Sequence, residues 1–163
     1  MDRITKTHVY FWGDTTFSNW GPSKFRYKGQ NFENSEQAFM WEKARVFEDY
    51  EIANKILLVD NPSLIKKLGR KVKNFDPAVW DRKSYDIMYE VNMSKYLQNP
   101  ELKKILLSTG DKTIVEASPY DKVWGVGLHW NDDKILDESN WDGLNLLGKV
   151  LVEVRDMINE GME

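Results

Sequence analysis

The 163-residue chain contains no cysteine. That removes thiol nucleophiles, disulfides, iron–sulfur clusters and thiolate zinc sites from consideration. Histidine is almost as scarce: His8 and His129 are the only two. A His-rich metal centre or a two-His facial site has too little to build on, so no metal is expected. No apolar run approaches membrane-spanning length, and the opening MDRITKTHVY has no apolar core of signal-peptide length. The expectation is a cytoplasmic protein without a membrane partner or an obligate protein partner. Excess charge is small as well. A formal net charge of -3 argues weakly against nonspecific nucleic-acid binding, which rests on a positive surface, but leaves room for a local basic pocket.

What the chain does have is aromatic rings: seven Trp, seven Tyr and seven Phe, 13% of its residues. Aromatic side chains dominate cores, and the plain reading places most of them there. The sharper reading has several lining a pocket for a planar ring, because aromatic faces stack on bases. Composition leaves both readings open. At this length the chain fits one domain, 1–163, which buries about two-thirds of its unfolded surface and needs no staple.

Residues 8–12 (HVYFW) read as a strand, 13–22 as a loop, and 24–28 as a short strand closed by the turn 28–31. Asn34 and Gln37 have capping-box spacing, with Ser35 as an alternative cap, ahead of a helix over 35–48. Further helices are predicted over 49–59, over 62–68 stopping at Gly69, from Asp76-Pro77 to Asn99-Pro100, and over 101–108. Residues 113–117 alternate like a strand and 122–126 suggest another. A surface loop runs to about 140, and a last helix covers 144–159 with Leu147, Leu151, Val154 and Ile158 at core spacing. The fold class is therefore α+β: a helix-rich compact single domain with a few short strands.

The helix at 35–48 carries the most chemistry. Glu36, Met40, Lys43 and Phe47 recur at helical spacing and share a face. A carboxylate and an amine then point the same way, roughly 10 Å apart along the axis. An acid in a first helical turn is also favoured by the helix dipole alone. For Glu36 to work as an acid or base it must be partly desolvated. Lys43 has the competing reading of a solvated surface cation. In LGRKVKNFD, Arg70, Lys71 and Lys73 form either a solvated basic run or a phosphate grip, since Arg contacts phosphate bidentately. Gly143 to Val150 nearly matches a P-loop, but Val150 stands where Ser or Thr should hold magnesium and no hydrophobic strand precedes it. That excludes an ATPase reading. A helix start with Asn145 and glycines still offers backbone donors to an anion. No GxSxG elbow is present, so a serine hydrolase is not supported. Carboxylate chemistry with aromatic and basic help remains.

Several segments together carry a resemblance. They are FSNW at 17–20, NSEQAFMWEKA at 34–44, LGRKVKNFD at 68–76, Trp80, STGDKTIVEASPYDKVWGVG at 108–127 and WDGLNLLGKVLVEVR at 141–155. In order and spacing they resemble the YbiA-like, or NADAR, superfamily across nearly the whole chain. The resemblance implies a compact helix-rich α+β fold and N-glycosidase activity. Characterised members cleave the ribosylamine bond of early riboflavin-pathway phosphoribosylamino-pyrimidines or remove ADP-ribose from modified guanine. The resemblance further implies that Glu36 is the catalytic carboxylate and that Trp80 and the Asp121, Trp124 and Gly125 run belong to the site. Gly69 with Arg70, Asn145 with Gly148, and Phe17, Ser18 and Asn19 match its remaining motifs. One departure stands out: the residue before Asn145 is often Lys or Arg in the superfamily, and here it is Leu144.

Cleaving an N-glycosidic bond builds oxocarbenium character on the ribose, which a carboxylate stabilises while activating water. Glu36 takes that role, with Glu116 or Asp121 as a second carboxylate; for Glu116 an exposed strand position is the competing reading. Trp80 and Trp124 would stack on the base, Arg70 and the Asn145–Gly148 turn would hold phosphate, and Lys43 would bind phosphate or attack the anomeric carbon. No cofactor is expected. The partner is a small nucleotide-like substrate or ADP-ribosylated nucleic acid. The alternatives are an ADP-ribosyl glycohydrolase acting on modified guanine, a non-catalytic reader of ADP-ribose or NAD, and a structural protein with an aromatic core.

Overall fold

The computed structural model describes residues 2–13 and 15–161. In chain order the elements are β1 (Asp2–Ile4), β2 (His8–Phe11), β3 (Phe25–Tyr27), β4 (Gln30–Phe32), α1 (Ser35–Val46), α2 (Tyr50–Leu57), α3 (Pro62–Gly69), α4 (Pro77–Gln98), α5 (Pro100–Ser108), β5 (Thr113–Glu116) and α6 (Leu146–Asn159). Two short 3-10 turns, Asp133–Leu136 and Glu138–Asn140, lie between β5 and α6. The fold is α+β and helix-rich, as expected. Contacts gather into two compact units: residues 1–21 with 100–163, and residues 22–99.

The unit formed by residues 1–21 and 100–163 is built on a three-stranded sheet ordered β1-β2-β5. β1 runs antiparallel to β2, and β2 runs parallel to β5 with Tyr10 opposite Val115. Val9, Tyr10 and Phe11 of β2 and Ile114 and Val115 of β5 are all buried. Such continuous apolar runs, rather than alternation, mark strands covered on both faces. Helix α6 packs on β5 through Leu147, Val150, Leu151, Val154 and Ile158, all buried at three- and four-residue intervals. Each contributes about 1.5–3 kcal/mol of transfer free energy. Arg155, on the same helix, is buried and donates to Thr109 Oγ1 at 3.1 Å and to the Lys112 carbonyl at 2.6 Å. It fixes the turn that feeds β5.

The expected strand at 122–126 does not form. Its carbonyls serve another purpose: those of Lys122, Val123, Trp124 and Gly125 accept from the backbone N–H groups of Leu144, Leu146, Leu147 and Asn145. The start of α6 is thus satisfied by a loop, and the loop has no strand partner left to pair with. Ile135, expected in a surface loop, is fully buried with Tyr10, Val115, Ala117 and Val126.

In the unit of residues 22–99, the hairpin β3–β4 and three other helices surround α1. Helix α1 packs on α2, α3 and α4 and touches β4. Nine of its twelve residues are buried, including Ser35, Glu36, Gln37 and Glu42. A helix this polar is buried all round only if its polar groups find partners. Gln37 donates to the Ile56 and Val59 carbonyls and accepts from Glu33 N. Glu42 accepts from Lys28, Arg45 and Tyr27. That acid, with Glu90 and above all burial, pushes the Tyr27 hydroxyl far above its ordinary value. The other helices start on side-chain caps: Asp49 for α2, Asn61 for α3 and Asp76 for α4, with Pro62 and Pro77 in the first turns.

Candidate active site

Glu36 lies in the first turn of α1, and the residues beside it make that turn rigid. Asn34 caps the helix by accepting from Gln37 N at 2.9 Å, and its amide donates to the Asp60 carbonyl. Gln37 reaches back to Glu33 N, so the two flanking amides anchor the turn to the backbone around it. Glu36 itself is only 8% exposed. The partial desolvation that acid–base work requires is therefore present.

Two turns on, Lys43 is half-buried. Burial pushes its ammonium below the ordinary lysine value; Glu36 acts to raise it and Arg70 to lower it further. Glu36 and Arg70 are thus both near enough to act on Lys43, in keeping with the shared helical face of Glu36 and Lys43. Arg70 is exposed, at the C-cap of α3. Gly69, just before it, is buried where a Cβ would meet the side chain of Met40, so its smallness lets α3 close on α1.

Trp80 is half-buried at the start of α4. Its ring lies 5.1 Å from that of Phe39 and 6.4 Å from that of Phe47. Phe47 in turn meets Phe75 edge-on at 5.3 Å. Phe75 carries the Lys43 ammonium 4.6 Å above its ring centroid. Sequence reasoning did not single out Phe75, although it lies in the quoted LGRKVKNFD segment. It also missed Asp49, whose carboxylate accepts from Ile52 N at the start of α2 and from Lys73 N at 2.9 Å. Those backbone bonds, the one from Lys73 first, hold Asp49 below the usual carboxylate range. Its capping position before α2 was the available signal.

The remaining sequence candidates lie in the unit of residues 1–21 and 100–163. Phe17 is buried against Phe11 at 5.6 Å. Ser18 and Asn19 are buried beside it, and Ser18 Oγ accepts from Trp20 N. Asp121 folds its own loop: one carboxylate oxygen accepts from Val123 N and Trp124 N at 2.9 and 2.8 Å. Trp124 and Glu116 are half-buried. Gly125 is where a Cβ would press on the Asp121 and Glu116 carbonyls. Asn145 is buried in the left-handed conformation, with φ 53. Its amide accepts from Glu116 N and donates to the Ile114 carbonyl, both at 3.0 Å. Gly148 packs against that same carbonyl and amide. Asn145 and the N–H groups of residues 144–147 are therefore engaged by the fold, which explains the motif's Asn and Gly without an anion. Among the described residues, no cluster of three metal-ligating side chains occurs. No helix among them is long and apolar enough to cross a membrane.

Comparison with known proteins shows what class of chemistry the chain belongs to. A model of the NADAR domain matches residues 10–159. The chain belongs to the NADAR family. N-glycosidase R617 of Acanthamoeba polyphaga mimivirus is 43% identical over 164 residues, covering 93% of this chain and 96% of that protein. The chloroplastic riboflavin biosynthesis protein PYRR of Zea mays is 33% identical over 112 residues, 66% of this chain but 16% of that protein. The NMR structure of the E. coli protein YbiA superposes with a TM-score of 0.79 at 24% identity, over 98% of this chain and 89% of that one, and shares the fold. With N-glycosidases among its full-length relatives, this NADAR chain is an enzyme of the glycosylase class.

Proposed function

We propose that this NADAR enzyme hydrolyses the N-glycosidic bond of a phosphorylated ribosylamine attached to a pyrimidine, as in the early intermediates of riboflavin synthesis. The observation that carries the reading is the burial of Glu36 on a rigid helix start, with the cations of Lys43 and Arg70 in its electrostatic reach. In the reaction, the bond between ribose C1 and nitrogen breaks, water oxygen bonds to C1, and the water's proton ends on the departing amine. Glu36 stabilises the developing positive charge on the sugar and takes the proton from water. Lys43 and Arg70 hold the sugar phosphate. Trp80, backed by Phe39 and Phe47, offers an aromatic face to the base. The relative of Zea mays named for riboflavin biosynthesis supports the choice of substrate class.

The test is release of free pyrimidine amine from a phosphoribosylamino-pyrimidine, with ADP-ribosylated guanine as the second substrate. Turnover of the first, lost in Glu36→Gln, supports the reading. Cleavage of the guanine adduct alone overturns the substrate, and turnover undiminished in Glu36→Gln overturns the mechanism. Asp121→Ala and Trp124→Ala in the same assay test the roles that the family resemblance implies for those residues. Borohydride trapping of a sugar on Lys43 distinguishes attack at C1 from phosphate binding.

A further inference from the structure

Phe75 has an arrangement that packing does not explain. It is 42% exposed, which is high for a large apolar ring. One edge rests on Phe47, buried at the C-cap of α1. A ring face carries Nζ of Lys43 at 4.6 Å from the centroid, well inside the range at which a cation is attracted by a ring's quadrupole. The backbone that presents the ring is fixed on its other side. Asn74 adopts φ 61, a left-handed turn, and the Asp49 carboxylate holds Lys73 N at 2.9 Å. Val72 is buried in the same segment. The loop between α3 and α4 is thus pinned by backbone and side chain, and what it holds out is the ring.

We propose that Phe75 is a positioning residue whose ring face seats the ammonium of Lys43 beside Glu36 and Arg70. A lysine has a long flexible stem, and an ammonium in a last helical turn with no seat samples many rotamers. The ring restricts it to one region without taking up its N–H donors in a conventional hydrogen bond. It also favours the charged form, in opposition to burial and to Arg70 and in the same sense as Glu36, the charged groups acting on Lys43. A lysine so placed is oriented in advance for an anionic sugar phosphate. This inference rests on Lys43 acting in the site proposed above.

The experiment compares wild type with Phe75→Leu, which keeps apolar bulk but has no π face, and Phe75→Tyr, which keeps the face. The readout is the pH profile of Lys43 labelling by an amine-reactive reagent on the intact chain, followed by mass spectrometry. In Phe75→Leu the profile should move to lower pH, so that on its rising limb Lys43 labels about 2- to 10-fold faster. Phe75→Tyr should overlay wild type. The corresponding kcat/KM values, on the phosphoribosylamino-pyrimidine, should fall in Phe75→Leu and recover in Phe75→Tyr. A Phe75→Leu profile that overlays wild type, or a Phe75→Tyr profile that follows Phe75→Leu, overturns the seat. Lys43→Ala separates the two ideas: full turnover in that variant overturns the role of Lys43, while labelling still decides whether Phe75 holds it.

Discussion

Gly148 offers a case in which two physical arguments predict opposite signs. It lies in the first turns of α6, and helix propensity alone favours alanine over glycine by about 1 kcal/mol. Packing opposes this. A Cβ on Gly148 would run into the Ile114 carbonyl oxygen of β5 and into both heteroatoms of the Asn145 amide. The first of these is backbone and cannot rotate away, so α6 must move off the sheet, an overpacking cost of about 1–3 kcal/mol. Displacing the Asn145 amide also breaks its bonds to Glu116 N and the Ile114 carbonyl. Leaving one buried partner unsatisfied costs about 1–3 kcal/mol. Against the propensity gain, the net destabilisation is about 1–5 kcal/mol. For a chain of this size each kcal/mol lowers the midpoint by about 2–4 °C, so Gly148→Ala should melt about 2–20 °C below wild type. Circular dichroism melts at matched concentration measure this. Gly69→Ala is the internal control. The three atoms its Cβ would meet first all belong to the Met40 side chain, which can adopt another rotamer, and the loss should stay within about 1.5 kcal/mol. A Gly148→Ala protein as stable as wild type, or more so, would refute the reasoning, because propensity would then have outweighed the contact.

Glu36→Gln should lower kcat by about 100- to 10,000-fold in the base-release assay while leaving the melting curve close to wild type. Arg155→Ala should destabilise by about 3 kcal/mol in urea titrations, since it deletes bonds from a buried guanidinium to Thr109 and Lys112. Stability should rise between about pH 7 and pH 10. Burial pushes Lys95 from 10.5 down to about 7, so across that window the unfolded chain binds the proton that the native state has lost. Lys43, lowered as well, adds in the same sense. Above pH 10 the slope should reverse, because burial raises Tyr96 and Tyr27 and the native state then keeps protons that the unfolded chain releases. Urea midpoints measured across pH check this, and Lys95→Met should flatten the rise.

Much of the helical framework was legible because its signals are local. Asn34, Asp76-Pro77 and Asn61-Pro62 cap their helices within two or three residues of themselves. The loop at 122–126 was misread because its backbone bonds to residues about twenty positions further on. Strands β1 and β4 escaped notice for the opposite reason, being three residues each with little apolar content. In the site, the spacing of Glu36 and Lys43 placed both on one face of α1, and the family resemblance selected Glu36. The burial of that helix on nearly every side was not legible, since its composition is that of a surface helix. Phe75 was invisible for a similar reason: it matters through Lys43, thirty-two positions earlier. Asn145 and Gly148, read as ligand chemistry, also have contacts that hold a helix to a strand, which the motif did not reveal.

The end of α4 also protects the protein from itself. The Gln98 side chain accepts from Arg26 N at 2.7 Å and donates to the Arg26 carbonyl at 2.8 Å, and the Asn99 amide donates to the Lys24 carbonyl at 3.0 Å. An amide that bonds both groups of one residue imitates a neighbouring strand. Among the described residues β3 pairs only with β4, so its outer rim would otherwise present free donors and acceptors to any passing chain. Gln98 works as a stopper on that rim. Its loss should be felt in how the protein behaves when crowded with its own copies more than in its chemistry: a Gln98→Ala preparation would be expected to associate edge to edge at concentrations where the parent stays dispersed.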